Sequence, residues 1–282
     1  MSHIVIHIKS PDQRGIISLY TDMLSSLSIN ILKLEQHVEP DDKLFFMRIE
    51  AEFLDNKLSI SELEKHLAAT DSKVNGNSNV FDAHKKQNIA VLVTKESLPL
   101  YDILIKNQTG EINSNIKSII SNHKILEPIS DQFNIEYKYL DISNKTKSED
   151  SLLEILDEQR IDLVILARYM QIIPNSIVQR YKDRMINIHH GFLPAFKGEK
   201  PYHKAWKRGV KIIGATAHYV TSELDEGPII SQDVVSVDHN HSIKELINSG
   251  RNLERNVLVN AIKAHIEYRI MIHGKRTIVF NK

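Results

Sequence analysis

Two runs of sequence limit the fold more than any others in the chain. NIAVLVT at 88–94 and IDLVILA at 161–167 are apolar almost without a break. Strands of a half-exposed sheet alternate apolar and polar residues, whereas strands covered on both faces do not have to. Both runs therefore read as inner strands of a parallel sheet. Helical stretches at 99–106, 126–133 and 148–159, with further strands at 116–121 and 135–140, fill the interval between them. Strands alternating with helices predict a doubly wound α/β domain whose ligand sites lie beyond the carboxyl ends of the strands.

The first 83 residues follow a different pattern. HIVIHIK at 3–9 alternates, a helical stretch runs to Leu27, and strands at 30–38 and 44–53 flank the acidic turn Pro40-Asp41-Asp42 as a hairpin. A helix over 60–67 and a strand over 77–83 complete the order βαββαβ, a two-layer sandwich. His84-Lys85-Lys86-Gln87 is a polar joint. The sequence thus predicts a domain over 1–83, a linker over 84–87 and a second domain over 88–282.

Composition removes several function classes. Lys plus Arg equals Asp plus Glu at 36 each, so nothing marks a basic footprint for nucleic acid. The absence of cysteine excludes disulfides, thiolate metal sites and a cysteine nucleophile. No run approaches the 18 or so apolar residues of a membrane span, and MSHIVIHIKSPDQ lacks a signal-peptide core, so a cytoplasmic protein is expected.

Chemistry concentrates late in the chain. Met185-Ile186 leads into Asn187-Ile188-His189, after which Gly191 and Pro194 end any regular element. Residues two apart on a strand share a face about 7 Å apart, so the carboxamide and imidazole emerge together. Asn can donate to a developing oxyanion, and His can move a proton near neutral pH. The same spacing also fits a plain polar strand end. Alternation sends His190 to the opposite face, which argues against a metal shared with His189. His239-Asn240-His241 falls in a polar loop, and no metal site is predicted.

Met170, Ile172 and Ile173, beyond the 161–167 strand, offer an apolar slot or else packing for the next helix. Strands at 212–220 and 228–237 enclose the loop Thr221-Ser222-Glu223-Leu224-Asp225-Glu226-Gly227. Asp225 there is either an Asx-type turn former or the carboxylate that orients His189 or holds water. His218 is placed to hydrogen-bond the same carboxylate. Thr94-Lys95-Glu96-Ser97-Leu98-Pro99, the turn after the first inner strand, has no glycine, so a phosphate cradle is not expected. A helix over 242–268 and a last strand over 277–280 follow.

NIHHGFLPAFKG followed by GATAHYVTSELDEGPII resembles the formyltransferase family that uses 10-formyltetrahydrofolate. The signature covers about 45 residues, and the order of strands and helices extends it from 88 to roughly 235. The resemblance implies Asn187 as oxyanion donor, His189 as acid and Asp225 as the carboxylate that tunes it and positions water. It implies a folate cleft lined by Met170, Gln171, Ile172 and Ile173, by His218, and by Val220, Thr221, Ser222, Glu223 and Leu224. The front domain is similar to the ACT domain, a ferredoxin-like amino-acid-binding module. That similarity implies Asp12, Gly15 and Asn30 as effector contacts, glycine or methionine as effector, and a homo-oligomer; the plain alternative is that Gly15 only relieves the turn and Asn30 caps a strand.

An ACT-like domain ahead of the catalytic one is similar to the hydrolytic branch of the family. The activity implied is hydrolysis of 10-formyltetrahydrofolate to formate and tetrahydrofolate, with folate as substrate and no further cofactor. Formyl transfer to an amine such as glycinamide ribonucleotide, or a silent folate- or amino-acid-binding regulator, are the alternatives. Two positions depart from the family pattern: Gly191 replaces a usual Ser, and Gln171 replaces a frequent Arg.

Overall fold

The computed structural model describes residues 3–54, 58–196, 198 and 200–281, and divides into two units, each taken by itself. The first comprises Met1–Lys85, Glu267–Met271 and Ile278–Lys282. Strand β1 (His3–Pro11), helix α1 (Ile16–Ser26), strands β2 (Ile29–Glu39) and β3 (Leu44–Phe53), helix α2 (Ile60–Val74) and strand β4 (Asn77–Asp82) follow the expected order βαββαβ. The sheet runs β2-β3-β1-β4, with neighbouring strands antiparallel. Ile4, Ile6 and Ile8 of β1 share one face and pack with Tyr20 and Leu24 of α1 and Leu63 and Leu67 of α2. Ser59 and Glu62 form a reciprocal capping box that starts α2. That helix extends to Val74, seven residues beyond the expected Leu67, and ends where Asn75 turns left-handed.

The other face of this sheet is covered as well, which alternation in β1 does not predict. His7 and Arg48 are 7% and 2% exposed there. Arg48 Nε and Nη2 donate to the carbonyls of Tyr268 and Glu267 at 2.7 and 2.9 Å, and His7 Nε2 lies 2.8 Å from the Tyr268 carbonyl. Tyr268 also stacks on Phe81 with centroids 4.4 Å apart. Buried donors need acceptors, and the sequence pattern places the segment that supplies them in the second domain. Glu267–Met271 and Ile278–Lys282 instead cluster with the first unit.

The second unit contains strand β5 (Asn88–Val93), helix α3 (Leu98–Gln108), strand β6 (Asn115–Ser121), helix α4 (Glu127–Phe133), strand β7 (Glu136–Tyr139), helix α5 (Lys145–Glu158) and strand β8 (Leu163–Leu166). Helix α6 (Asn175–Arg180), strand β9 (Met185–His189), helix α7 (Pro201–Arg208), strands β10 (Ile212–Tyr219) and β11 (Ile229–Ser236) and helix α8 (Ile243–Ile266) follow. Strands β12 (Ile270–His273) and β13 (Arg276–Val279) form a separate two-stranded sheet.

The large sheet is ordered β11-β10-β9-β8-β5-β6-β7. It is parallel from β9 through β7, and β10 and β11 are antiparallel to their neighbours. Ala90 and Leu92 of β5 and Val164 of β8 are fully buried, as uninterrupted apolar runs require. The chain leaves β5 towards β6 on one side and returns to β8 on the other, so the order reverses between β5 and β8. A crevice opens at such a switch point, beyond the carboxyl ends of the strands. Helix α7 was not anticipated, although Pro201 at its start and Gly209 with a left-handed φ of 67° at its end are its ordinary sequence marks.

Candidate active site

The switch point is already occupied by a protein contact. Thr94, just past β5, accepts a hydrogen bond through Oγ1 from the backbone N–H of Met170 at 2.9 Å. Glu96 in the same turn pairs with Arg251 of α8 at 2.9 Å. The turn that would cradle a phosphate in a nucleotide-binding domain here anchors the segment after β8. That segment, from Arg168 to Pro174, forms one wall of a cavity of about 1010 Å³. Asn187, His189, Leu224 and Asp225 also face it.

Antiparallel pairing of β9 with β10 sets the polar groups. Asn187 lies opposite His218, and His189 lies opposite Thr216. His218 Nδ1 sits 2.8 Å from the Tyr219 carbonyl, so that nitrogen carries the proton and Nε2 is left to accept. Asn187 Nδ2, 3.2 Å away, donates to it. This contact fixes the rotation of the Asn187 amide and leaves its second N–H for a ligand. Burial, against partial compensation from the Tyr219 hydrogen bond and Asp225, lowers the His218 pKa and keeps the ring neutral, as an acceptor must be.

Asp225 comes from the loop between β10 and β11 and has a left-handed backbone, φ 57°. The loop crosses Tyr219 so closely that a Cβ on Gly227 would lie 1.7 Å from the Tyr219 carbonyl oxygen, so only glycine lets it turn there. Asp225 Oδ2 lies 3.1 Å from His189 Nδ1 and also accepts from the Gly198 N–H at 3.4 Å. Its Oδ1 is 3.8 Å from His218 Nε2. Burial works to raise this carboxyl, but the His189 hydrogen bond and charge and the Gly198 amide outweigh it and hold it below the usual carboxylate range. The carboxylate fixes His189 with its proton on Nδ1. Nε2 is buried and has no hydrogen-bond partner. At the cavity wall this nitrogen is left to bond a ligand.

The loop behind His189 is tied down from β10 and β11. Thr216, fully buried, donates through Oγ1 to the Gly191 carbonyl at 2.9 Å and accepts from the Leu193 N–H at 3.1 Å. Gln232 Nε2 donates to both the Leu193 carbonyl and Thr216 Oγ1 at 2.9 Å. A Cβ built on Gly191 would sit 3.0 Å from His189 Nε2 and 3.2 Å from Pro201 Cβ. Glycine at this position therefore leaves the imidazole more room than a serine would.

His190 differs from the sequence expectation. Its ring lies 5.4 Å from that of His189, and both face the cavity. Strand β9 ends at His189 and the chain bends at the next residue, so alternation no longer dictates the face. Burial and the Arg168 charge depress the His190 pKa to about 3. Among the described residues no cluster of three or more His, Asp or Glu is arranged for a metal.

Met170, Gln171, Ile172, Ile173 and Leu224 line the cavity, with Met170, Ile172 and Leu224 exposed and Ile173 buried. His218 lies behind Asn187 rather than in the wall, and Val220, Thr221, Ser222 and Glu223 belong to the strand end and loop that carry Asp225. Arg168, Tyr202 and Glu254 line the cavity without having been singled out in the sequence. Tyr202 and Glu254 sit on helices far apart in sequence and carry no local motif. In the first unit, Gly15 precedes α1 with φ 91° and Asp12 donates its N–H to the Lys43 carbonyl at 2.8 Å. Asn30 Nδ2 donates to Glu52 Oε1 at 3.1 Å.

The family model described as Formyl transferase matches residues 87–262. A formyltetrahydrofolate deformylase from Synechocystis sp. is 41% identical over 275 residues, spanning 97% of this chain and 96% of that protein. The chain belongs to the formyltetrahydrofolate deformylase family. A crystal structure of a deformylase from Pseudomonas syringae pv. tomato superposes with a TM-score of 0.96 at 35% identity, covering 100% of this chain and 95% of that one. A glycinamide ribonucleotide transformylase from Symbiobacterium toebii, at 29% identity and a TM-score of 0.68, covers only 71% of this chain. Similarity to the deformylases thus extends over both units.

Proposed function

We propose that this chain hydrolyses 10-formyltetrahydrofolate to formate and tetrahydrofolate. The observation that carries the reading is the Asn187–His189–Asp225 arrangement beside an open cavity, on a chain similar to deformylases over its whole length. The folate ring system enters the slot between Met170–Ile173 and Leu224, bringing its formyl group to the buried end. Asp225 Oδ1, not engaged by His189, accepts a proton from the attacking water. The water oxygen bonds to the formyl carbon, and the free N–H of Asn187 stabilises the oxyanion. The carbon–nitrogen bond then breaks as His189, held until then as the imidazolium by the Asp225 carboxylate, donates its Nε2 proton to the departing nitrogen. Formic acid loses its proton to give formate, and the proton on Asp225 passes to His189 to restore the starting pair.

Formate release from 10-formyltetrahydrofolate in buffer alone tests this reading. One formate per folate turned over is expected without any amine. A requirement for an added amine acceptor would make the chain a transferase, and folate binding without turnover would make it a regulator.

The reaction proceeds in the cytoplasm and supplies formate for purine synthesis while balancing the one-carbon pool. The βαββαβ unit is an ACT-type regulatory domain that responds to glycine or methionine through the Asp12–Gly15 turn and Asn30, and the chain assembles as a homo-oligomer. Calorimetric titration is expected to show saturable binding of one of these amino acids to the intact protein. Heats indistinguishable from dilution for both would refute the effector reading.

A further inference from the structure

One buried cation in the cavity takes no part in the steps above. Arg168 follows β8 with a left-handed backbone, φ 63°. Its Nη1 is buried and makes no hydrogen bond, and its ion pair with Glu254 Oε2 spans 3.6 Å. Glu254, 2% exposed on α8, is instead bonded by the Tyr202 hydroxyl at 2.8 Å. Tyr202 presses so closely on α8 that a Cβ on Gly250 would sit 2.0 Å from its hydroxyl oxygen. The nearby Arg251 is engaged by Glu96 at 2.9 Å. An unbonded guanidinium nitrogen at a cavity wall is an unusual expense in a folded protein, and an anionic ligand would relieve it.

Position along the wall indicates which anion. The Arg168 side chain is 17% exposed, whereas Ile172, four residues on, is 82% exposed. The segment therefore rises from the cavity floor at Arg168 to its mouth at Ile172. At the floor Arg168 lies close enough to His190 to depress its pKa, and the His190 ring is 5.4 Å from that of His189. Arg168 thus faces the one-carbon end of the substrate. A neutral formyl amide offers a guanidinium little, but hydrolysis converts it to a planar two-oxygen anion that suits an arginine fork.

We propose that Arg168, held from behind by Glu254 and Tyr202, forms a carboxylate subsite that receives formate once the carbon–nitrogen bond has broken. The inference rests on the hydrolytic reading. Tyr202 and Glu254 are positioning residues in it, and Arg168 contacts the product. The competing source of a carboxylate is the glutamate tail of the folate.

Sodium formate, matched with sodium chloride, is the probe. Inhibition of turnover by formate and broadening of the 13C-formate resonance are measured for the wild type, Arg168→Lys and the double variant Arg168→Met/Glu254→Gln. The double variant removes one positive and one negative charge and keeps an acceptor for Tyr202, so no buried ion is stranded. Wild type is expected to bind formate, with inhibition weakened about tenfold or more in the double variant, the loss appropriate to a charge-assisted hydrogen bond. Arg168→Lys, which keeps the charge and loses the fork, is expected to fall between them and gives a reading even if the double variant fails to fold. Unchanged formate inhibition in a folded variant, or no formate effect on wild type, would overturn the subsite. A KM for 10-formyltetrahydrofolate raised tenfold with formate inhibition unchanged would assign Arg168 to the tail instead. Broadening of 13C-formate needs no turnover, so failure of the subsite and failure of the hydrolytic reading are separable.

Discussion

Asp225→Asn is expected to lower kcat by about 10³–10⁴, the loss seen where a carboxylate that orients a catalytic histidine becomes an amide. The reason lies in both of its oxygens. Oδ2 at 3.1 Å fixes the proton on His189 Nδ1, and Oδ1 is the base for water in the proposed mechanism. An asparagine here either presents its NH₂ to Nδ1, which selects the wrong tautomer, or keeps the contact without the charge that balances imidazolium. Single-turnover formate release is the decisive measurement, and a rate within tenfold of wild type would remove Asp225 from the mechanism. The pKa depression adds a sign-checked expectation. A carboxylate whose folded pKa lies below its ordinary value contributes stability that is present above that ordinary value and is lost as pH falls through the depressed one. The Asn variant should therefore lose less stability than wild type on acidification through that window.

Asn187→Ala is expected to cost roughly 3 kcal/mol of barrier reduction, a hundredfold or more in kcat, with KM little changed. The amide N–H that faces the ligand acts on charge present only in the transition state, so ground-state binding should not register its loss. The substitution also removes the donor to His218 Nε2, whose loss is structural. Comparing Asn187→Ala with Asn187→Asp separates the two effects. Asp keeps the size and supplies no N–H at neutral pH, so it too should be slow. Full activity in Asn187→Asp would show that no N–H donor is needed at this position.

How much of this was readable beforehand depended on how local each signal was. The inner strands β5 and β8 were plain in uninterrupted apolar runs, and β9 delivered Asn187 and His189 on one face because a strand of five residues stays regular to its end. The period-2 rule failed one residue later, at His190, where the chain bends. Helix α7 was missed despite Pro201 and Gly209, because its eight residues are short and strongly polar between loop segments. Arg168, Tyr202 and Glu254 were invisible for a different reason. Each is unremarkable among its neighbours in sequence, and only the approach of α7 and α8 to the end of β8 brings them together. The expected role of Asp225 needed a contact across 36 positions, which came from family resemblance rather than from spacing.

The buried carbonyls that Arg48 and His7 reach belong to residues 267 and 268. During synthesis, β1 and β3 leave the ribosome more than two hundred residues before those acceptors exist. Until then an arginine that ends 2% exposed must stay hydrated, and the face it occupies must stay open. The front unit can therefore form its helix-covered face early but complete its second face only after residues 267 and 268 have been made. A fragment cut at the 84–87 joint would stay at that half-finished stage, with Nε and Nη2 of Arg48 left to water.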